Sequence, residues 1–266
     1  MKSTGARFDR WEVLLVGGAV MLVTALIGTP YRSASSRVTS MLAAEGLQDH
    51  AKLERMYGPT ASSQFDEEWI IRDFFRDRRD GVFLDVGAND YLRNNLTYFL
   101  ETSLGWSGVA IDAQQEYAEG FRLHRPRTTF FTAFVSDVSD ATVNLYIPER
   151  VRVEASANRS FAAKADEKIS TRQVPTITLN DLLAKARLTR VDFVSMDIKL
   201  AEPKARSGFD IEEFRPALVC NEGHAEVRQA ILSYFHEHGY VLVGKYLRTD
   251  AVNLYFMPAD YPPPMS

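Results

Sequence analysis

The sequence predicts an α/β domain with a mostly parallel sheet covered by helices on both faces. Three observations carry that expectation. Short apolar runs at 82–86, 108–112, 129–135, 192–196, 217–222, 240–244 and 251–257 alternate with helical periodicity near 93–103, 115–124, 179–187, 202–207 and 225–238. The run Gly81-Val82-Phe83-Leu84-Asp85-Val86-Gly87-Ala88-Asn89-Asp90 ends in an acid and a glycine, as a buried parallel strand does where it opens into a ligand-binding loop. A chain of 266 residues that is 45% hydrophobic has the material for a full-sized core.

The elements follow in order. Val13 to Gly28 is uncharged and mostly apolar, with Trp11 before it, Tyr31 after it and Pro30 to end the helix. With its flanks it reaches the length that spans a bilayer, so residues 12–30 are expected to form a transmembrane helix behind a basic flank, 1–11. A secretory signal peptide is the competing reading, with Lys2, Arg7 and Arg10 as its basic start and Ser33-Ala34-Ser35 as a cleavage site. The run is long for a signal, which favours a retained single-pass anchor, most simply in a bacterial inner membrane. Three basic residues precede the run and Arg32 and Arg37 follow it, so the charge bias leans toward a cytoplasmic amino terminus.

Residues 31–62 read as a polar linker with a short helix near 38–55, and 65–75 as a helix with acids in its first turn. Asp80-Gly81 stops that helix and starts the first strand. A hairpin arm is expected at Thr142–Ile147, and the charged, aperiodic stretch Glu149–Arg172 as an excursion from the sheet. The domain is expected to occupy 63–258, followed by a proline-rich tail, 259–266. A net charge of −4 leaves no basic footprint for nucleic acid. The single cysteine, Cys220, sits in an apolar run and reads as a buried thiol, and the scattered histidines offer no metal site.

Candidate functional residues fall at strand ends. Gly87 lets backbone approach a ligand, with Asp85 and Asn89 beside it; an ordinary strand-to-helix turn is the plainer reading of the same residues. Asp112 closes the second strand, where an acid can accept hydrogen bonds from ribose hydroxyls. Ser136 and Asp137 close the third, placed for an adenine edge, and Asp197 and Glu222 close the fourth and fifth. Together these ends would line one crevice.

The stretch from Ser63 to Pro258 resembles the FkbM-type methyltransferases, a branch of the class I S-adenosylmethionine-dependent enzymes. The matching segments are Ser63-Gln64-Phe65 with Glu67-Glu68, Phe83-Leu84-Asp85-Val86-Gly87-Ala88-Asn89, Thr97-Tyr98-Phe99-Leu100-Glu101, Gly105-Trp106-Ser107-Gly108 with Ile111-Asp112, Thr178-Leu179-Asn180-Asp181-Leu182-Leu183, Val191 to Asp197, and Val219-Cys220-Asn221-Glu222. The resemblance implies a Rossmann-like, seven-stranded sheet whose last strand is antiparallel. It implies S-adenosylmethionine as cofactor, with Asp85, Gly87, Ala88 and Asn89 around its methionine part, Asp112 at the ribose, and Ser136 and Asp137 near the adenine. Asp197 and Glu222 would stand at the reacting centre, where an oxygen is the usual methyl acceptor.

Two departures from the family pattern stand out. The motif after the fourth strand usually reads acid, apolar, glutamate, glycine, whereas this chain has Asp197-Ile198-Lys199-Leu200, so Lys199 is expected either to repel a sulfonium donor in the confined site or to point away or pair with Glu202 or Glu222. A glycine shortly after Asn89 is replaced by the run Asp90-Tyr91-Leu92-Arg93. Two functions are therefore expected to compete: a membrane-anchored methyltransferase acting on a sugar or lipid-linked acceptor, and a degenerate fold serving as an assembly subunit of a respiratory or photosynthetic membrane complex.

Overall fold

The computed structural model describes residues 48–60 and 62–262. The predicted spanning run 12–30, most of the linker and the end of the tail lie outside them. Among the described residues no helix is long and apolar enough to cross a membrane.

Helix α1 (residues 48–57) docks on the domain rather than standing off as a linker. Leu53 is buried with Trp69, His50 Nδ1 stands 2.8 Å from Asp66, and Arg248 pairs with Asp49 at 3.1 Å. Helix α2 (Glu67–Phe75) buries Trp69, Ile70, Ile71 and Phe75 and ends at Arg76 in the left-handed conformation. Next come β1 (Val82–Val86), α3 (Tyr98–Leu104), β2 (Ser107–Asp112), α4 (Ala118–His124), β3 (Thr128–Thr132) and β4 (Phe134–Val135). A hairpin of β5 (Thr142–Pro148) and β6 (Ile169–Ile177) follows, with α5 (Arg159–Ala162) at its tip. The chain closes with α6 (Leu179–Ala186), β7 (Phe193–Met196), α7 (Glu202–Ser207), α8 (Ile211–Phe214), β8 (Leu218–Glu222), α9 (Arg228–Glu237), β9 (Tyr240–Leu242) and β10 (Asn253–Pro258).

The main sheet has seven strands in the order β3-β2-β1-β7-β8-β10-β9, with β10 antiparallel to both its neighbours. Alternate residues of its central strands feed two cores. Leu84, Val86, Val194, Met196 and Val219 face one, under α6 and α9; Phe83, Phe193, Leu218 and Cys220 face the other, under α2 and α3. Both faces are apolar, which is what a parallel sheet between helix layers needs. The order reverses between β2 and β7 on either side of β1, so a crevice opens at the carboxyl end of β1, where doubly wound sheets bind ligands.

Three expectations need correction. The run 129–135 is not one strand. β3 stops at Thr132, the Ala133 amide donates to the Asp112 carbonyl, and Phe134 and Val135 leave the main sheet to pair with Thr176 and Ile177 of β6. Ser136 and Asp137 consequently exit from a second, three-stranded sheet, β4-β6-β5, rather than from the third strand of the main sheet. The excursion 149–172 ends in β6, whose first residues pair with β5. The helix expected at 93–103 begins only at Tyr98, because Asn94 at φ 55° breaks any earlier helix.

Candidate active site

The loop after β1 is fixed by its neighbours on both sides. The amides of Gly87 and Ala88 donate to the Ile111 carbonyl, at 2.9 and 3.1 Å. Gly87 sits at φ 83°, and a Cβ there would lie 2.0 Å from the Asp197 carbonyl oxygen. Only glycine allows β1 and β7 to approach so closely at this turn. Asn89, at φ 52°, donates its amide to Asp112 Oδ2 at 3.1 Å, and Asp112 Oδ1 accepts the Gln114 amide at 2.8 Å. Asp112 thereby ties the first strand end to the second.

Asp85 points to the α3 side of the sheet. It is buried and accepts hydrogen bonds from Thr97 Oγ1 at 2.9 Å and Asn95 Nδ2 at 3.3 Å. Asn95 and Thr97 are held in turn by Arg125, which also pairs with Glu101 at 2.6 Å in a fully buried contact. Burial pushes the Asp85 carboxyl up to about 6 in spite of these donors. Burial does the same to Asp112, also to about 6, and the negative charges of Asp85 and Asp197 add to it.

The other half of the crevice is a chain of charges. Lys199 Nζ lies 2.7 Å from Asp197 Oδ1 and 3.0 Å from both oxygens of Glu222, and Glu222 Oε2 lies 2.8 Å from His224 Nε2. Burial raises the Asp197 carboxyl, with the Lys199 ammonium opposing. Burial works on Glu222 in the same direction, but His224, Asp197 and Lys199 outweigh it and hold that carboxyl low. Lys199 is therefore not a stray cation facing a ligand: it is neutralised between two strand-end carboxylates. Lys199 at φ 49° and Leu200 at φ 76° form a left-handed turn. Leu200 occupies the position where the family pattern places glycine, and a side chain there carries strain of about 1–2 kcal/mol. Tyr91, the other departure, packs on α4: its ring stacks on His124 with centroids 4.5 Å apart and covers Gly120.

Residues 149–168 cross the strand ends as a strap. Gln114 Nε2 donates to the Arg152 carbonyl at 3.1 Å, and Arg152 and Arg172 both pair with Glu116 beyond β2. Ser156 Oγ donates to the Lys199 carbonyl at 2.8 Å, Phe161 meets the His224 ring edge-on at 5.1 Å, and Lys164 pairs with Glu226.

The structure thus brings Asp85, Gly87, Ala88, Asn89 and Asp112 together at the β1 and β2 exits, and Asp197 and Glu222 together at the β7 and β8 exits. Ser136 and Asp137 form a separate pair, joined at 2.9 Å, with the Ser136 carbonyl against Gly208 and the Asp137 carboxylate exposed. Gln114 and His224 were not legible as site residues; the pairing of Lys199 with Glu222 was one of the sequence's alternatives, and Asp197 is its second partner. Their juxtaposition depends on β7 lying beside β8 and on the strap. Among the described residues no group of three or more His, Cys, Asp or Glu side chains is arranged to hold a metal ion.

Residues 85–242, more than half of the chain, match the family model described as the Methyltransferase FkbM domain. No curated protein matches the chain by sequence. Solved structures similar to it include a Pyrococcus horikoshii protein assigned as an RNA methyltransferase, 15% identical, covering 73% of this chain and 81% of that one at a TM-score of 0.39. An S-adenosylmethionine-dependent methyltransferase from Geobacter sulfurreducens, in complex with S-adenosyl-L-homocysteine, is 10% identical over 75% and 76% of the two chains at 0.37. The 1,6-didemethyltoxoflavin-N1-methyltransferase of Burkholderia thailandensis is 12% identical over 87% and 91% at 0.36.

Proposed function

The chain belongs to the FkbM methyltransferase domain family, and on that premise we propose that its strand-end crevice binds S-adenosylmethionine and directs methyl transfer to a hydroxyl-bearing acceptor. The observation that carries the reading is the electrostatics of the β1, β2 and β7 exits. Burial pushes Asp85 and Asp112 up to about 6, and the negative charges of Asp85 and of the half-exposed Asp197 add to the shift of Asp112. A buried acidic field of this kind is relieved by a cationic ligand. The Gln114 side-chain oxygen is buried without a hydrogen-bond partner beside Asp112, an acceptor available to a ligand N–H or O–H.

The residues fit the donor. Gly87 and Ala88 would supply the close backbone approach, Asp85 and Asn89 the polar surroundings of the methionine part, and Asp112 the acceptor for ribose hydroxyls. When bound, S-adenosylmethionine supplies an electrophilic methyl group on a sulfonium. The chain's task is then to hold the acceptor oxygen in line with that methyl and to exclude water, which the strap over the crevice favours. The predicted apolar run 12–30 would keep the domain at a bilayer, near a sugar or lipid-linked acceptor.

The reading is tested by calorimetry. S-adenosylmethionine should bind in the micromolar range at pH 7.5, and Asp112→Ala should weaken it by about tenfold or more, since a charge-assisted hydrogen bond contributes ~1.5–3 kcal/mol. Binding should also depend on pH with a definite sign. A cationic ligand favours the ionised carboxylates, so affinity is full above pH 7 and falls as pH drops through 6. The limiting fall is about tenfold per pH unit for each carboxylate that must ionise. Affinity that is flat from pH 7 to pH 5 would count against the acidic field as the donor's partner.

A second reading, a non-catalytic assembly subunit of a membrane complex, is favoured by one observation: Lys199 stands where the family pattern has glutamate, and Leu200 where it has glycine. Absence of binding heat at millimolar donor, together with stoichiometric co-purification with a membrane complex, would select it.

A further inference from the structure

We infer that His224 is the base that accepts the proton of the acceptor hydroxyl, with Glu222 as its orienting partner and Lys199 as the clamp that fixes Glu222. The inference rests on the methyltransferase reading above and assigns its acceptor side. Glu222 is a poor candidate for the role because Lys199 and His224 engage both its oxygens, and Asp197 carries the Lys199 ammonium beside its Oδ1, which opposes protonation of that carboxylate. Asp197 Oδ1 faces Lys199 Nζ at 2.7 Å, and both Glu222 oxygens lie 3.0 Å from the same ammonium. His224 is the next group outward along this chain. Its Nε2 stands 2.8 Å from Glu222 Oε2, and its side chain keeps 26% exposure, against 11% for Glu222, 12% for Lys199 and 45% for Asp197.

Nε2 is buried at ion-pair distance from Glu222 Oε2 without the alignment of a hydrogen bond, and the carboxylate charge beside it favours the tautomer of the neutral imidazole that is protonated on Nε2. The lone pair is then on Nδ1. That is the base–orienter arrangement on which proton abstraction depends. The surroundings favour it. Glu222 and Glu202 face the ring with negative charge, Lys199 faces it with positive charge, and burial opposes ionisation; Glu222 prevails and the imidazole is raised above its ordinary value. From the strap, Phe161 closes the ring edge-on and Lys164 is engaged by Glu226.

The step balances simply. The acceptor O–H bond breaks and its proton passes to Nδ1. The acceptor oxygen forms a bond to the methyl carbon, and the methyl–sulfur bond breaks with its electron pair going to sulfur. The products are the methylated acceptor, S-adenosylhomocysteine and an imidazolium that releases its proton to solvent.

Two measurements on the full chain test the assignment. Nitrogen-15 NMR of histidine-labelled protein with S-adenosylhomocysteine should show neutral His224 protonated on Nε2, with a bare Nδ1, and Glu222→Gln should lower its apparent pKa. The opposite tautomer overturns the proposal, whether or not any acceptor is turned over. With methyl-labelled S-adenosylmethionine and glycerol as the hydroxyl probe, His224→Gln should slow single-turnover transfer by at least about 100-fold at pH 8. It should leave donor affinity within about twofold and abolish the rise of rate with pH. Transfer at the unaltered rate by His224→Gln overturns the base role. A chain that binds no donor at all overturns the methyltransferase reading instead.

Discussion

Gly87→Ala should abolish measurable S-adenosylmethionine binding, a loss of at least ~100-fold, and destabilise the domain by about 1–3 kcal/mol. The cause is local and steric. The new methyl would stand 2.0 Å from the Asp197 carbonyl oxygen and 3.1 Å from Ile198 Cγ2, at a residue whose φ is 83°. The nearest obstacle is backbone, which no rotamer change can move aside. Relief requires the β1 loop to lift or the end of β7 to retreat, and Val86 and Met196 are register partners just before the contact. Lifting the loop breaks the Asn89-to-Asp112 hydrogen bond and the paired amides on the Ile111 carbonyl. The proposed donor side of the crevice is thus lost together with the turn. Calorimetry and a thermal melt on the same sample check it, and unaltered donor affinity in Gly87→Ala would refute the assignment of this turn as the donor loop.

That turn was legible in the sequence because its signal is local. An apolar run, an acid, a glycine and an asparagine follow one another, and the structure uses each where the pattern puts it. Asp112, Asp197 and Glu222 were legible for the same reason, each being the polar terminus of an apolar strand. The break between β3 and β4 was not. Thr129-Phe130-Phe131-Thr132-Ala133-Phe134-Val135 has uniform β character, and nothing in it marks Ala133 as the residue where the chain changes sheets. Strand β6 was hidden because its early residues are largely exposed and it contains Pro175, a residue that argues against a strand in the sequence, so neither alternation nor an apolar run announces it. Asn95, almost completely buried, reads as a turn residue until Arg125 and Asp85 are seen on either side of it. His224 is one histidine of five in the chain, and its meaning comes from Glu222 and from Lys199 on the neighbouring strand end. Contacts between distant segments set these roles, and a single sequence does not print them.

Arg125→Met should cost about 3–5 kcal/mol of stability, the range for removing one partner of a buried ion pair, and lower the melting temperature by roughly 10 °C. Arg125 is the centre of the network beneath the loop that follows β1. Its guanidinium pairs with Glu101 and donates to the Tyr91 and Thr97 carbonyls, Asn95 Oδ1 and Thr97 Oγ1. Glu101 is satisfied from the other side by the Arg127 amide at 2.7 Å and by the Thr128 hydroxyl. Removing the arginine leaves the Glu101 carboxylate buried without its cation, at 3% side-chain exposure, and releases Asn95 and Thr97, the two donors that hold Asp85. Replacing both partners, Arg125→Met with Glu101→Leu, should destabilise by clearly less than the sum of the single changes, because no charge is then stranded. Denaturant titrations of the four proteins complete the cycle. An Arg125→Met loss below ~1 kcal/mol would mean that water reaches the pair and that Asp85 is positioned by the sheet alone. A loss in the expected range, with donor affinity falling alongside it, would make this network the support on which the donor loop rests.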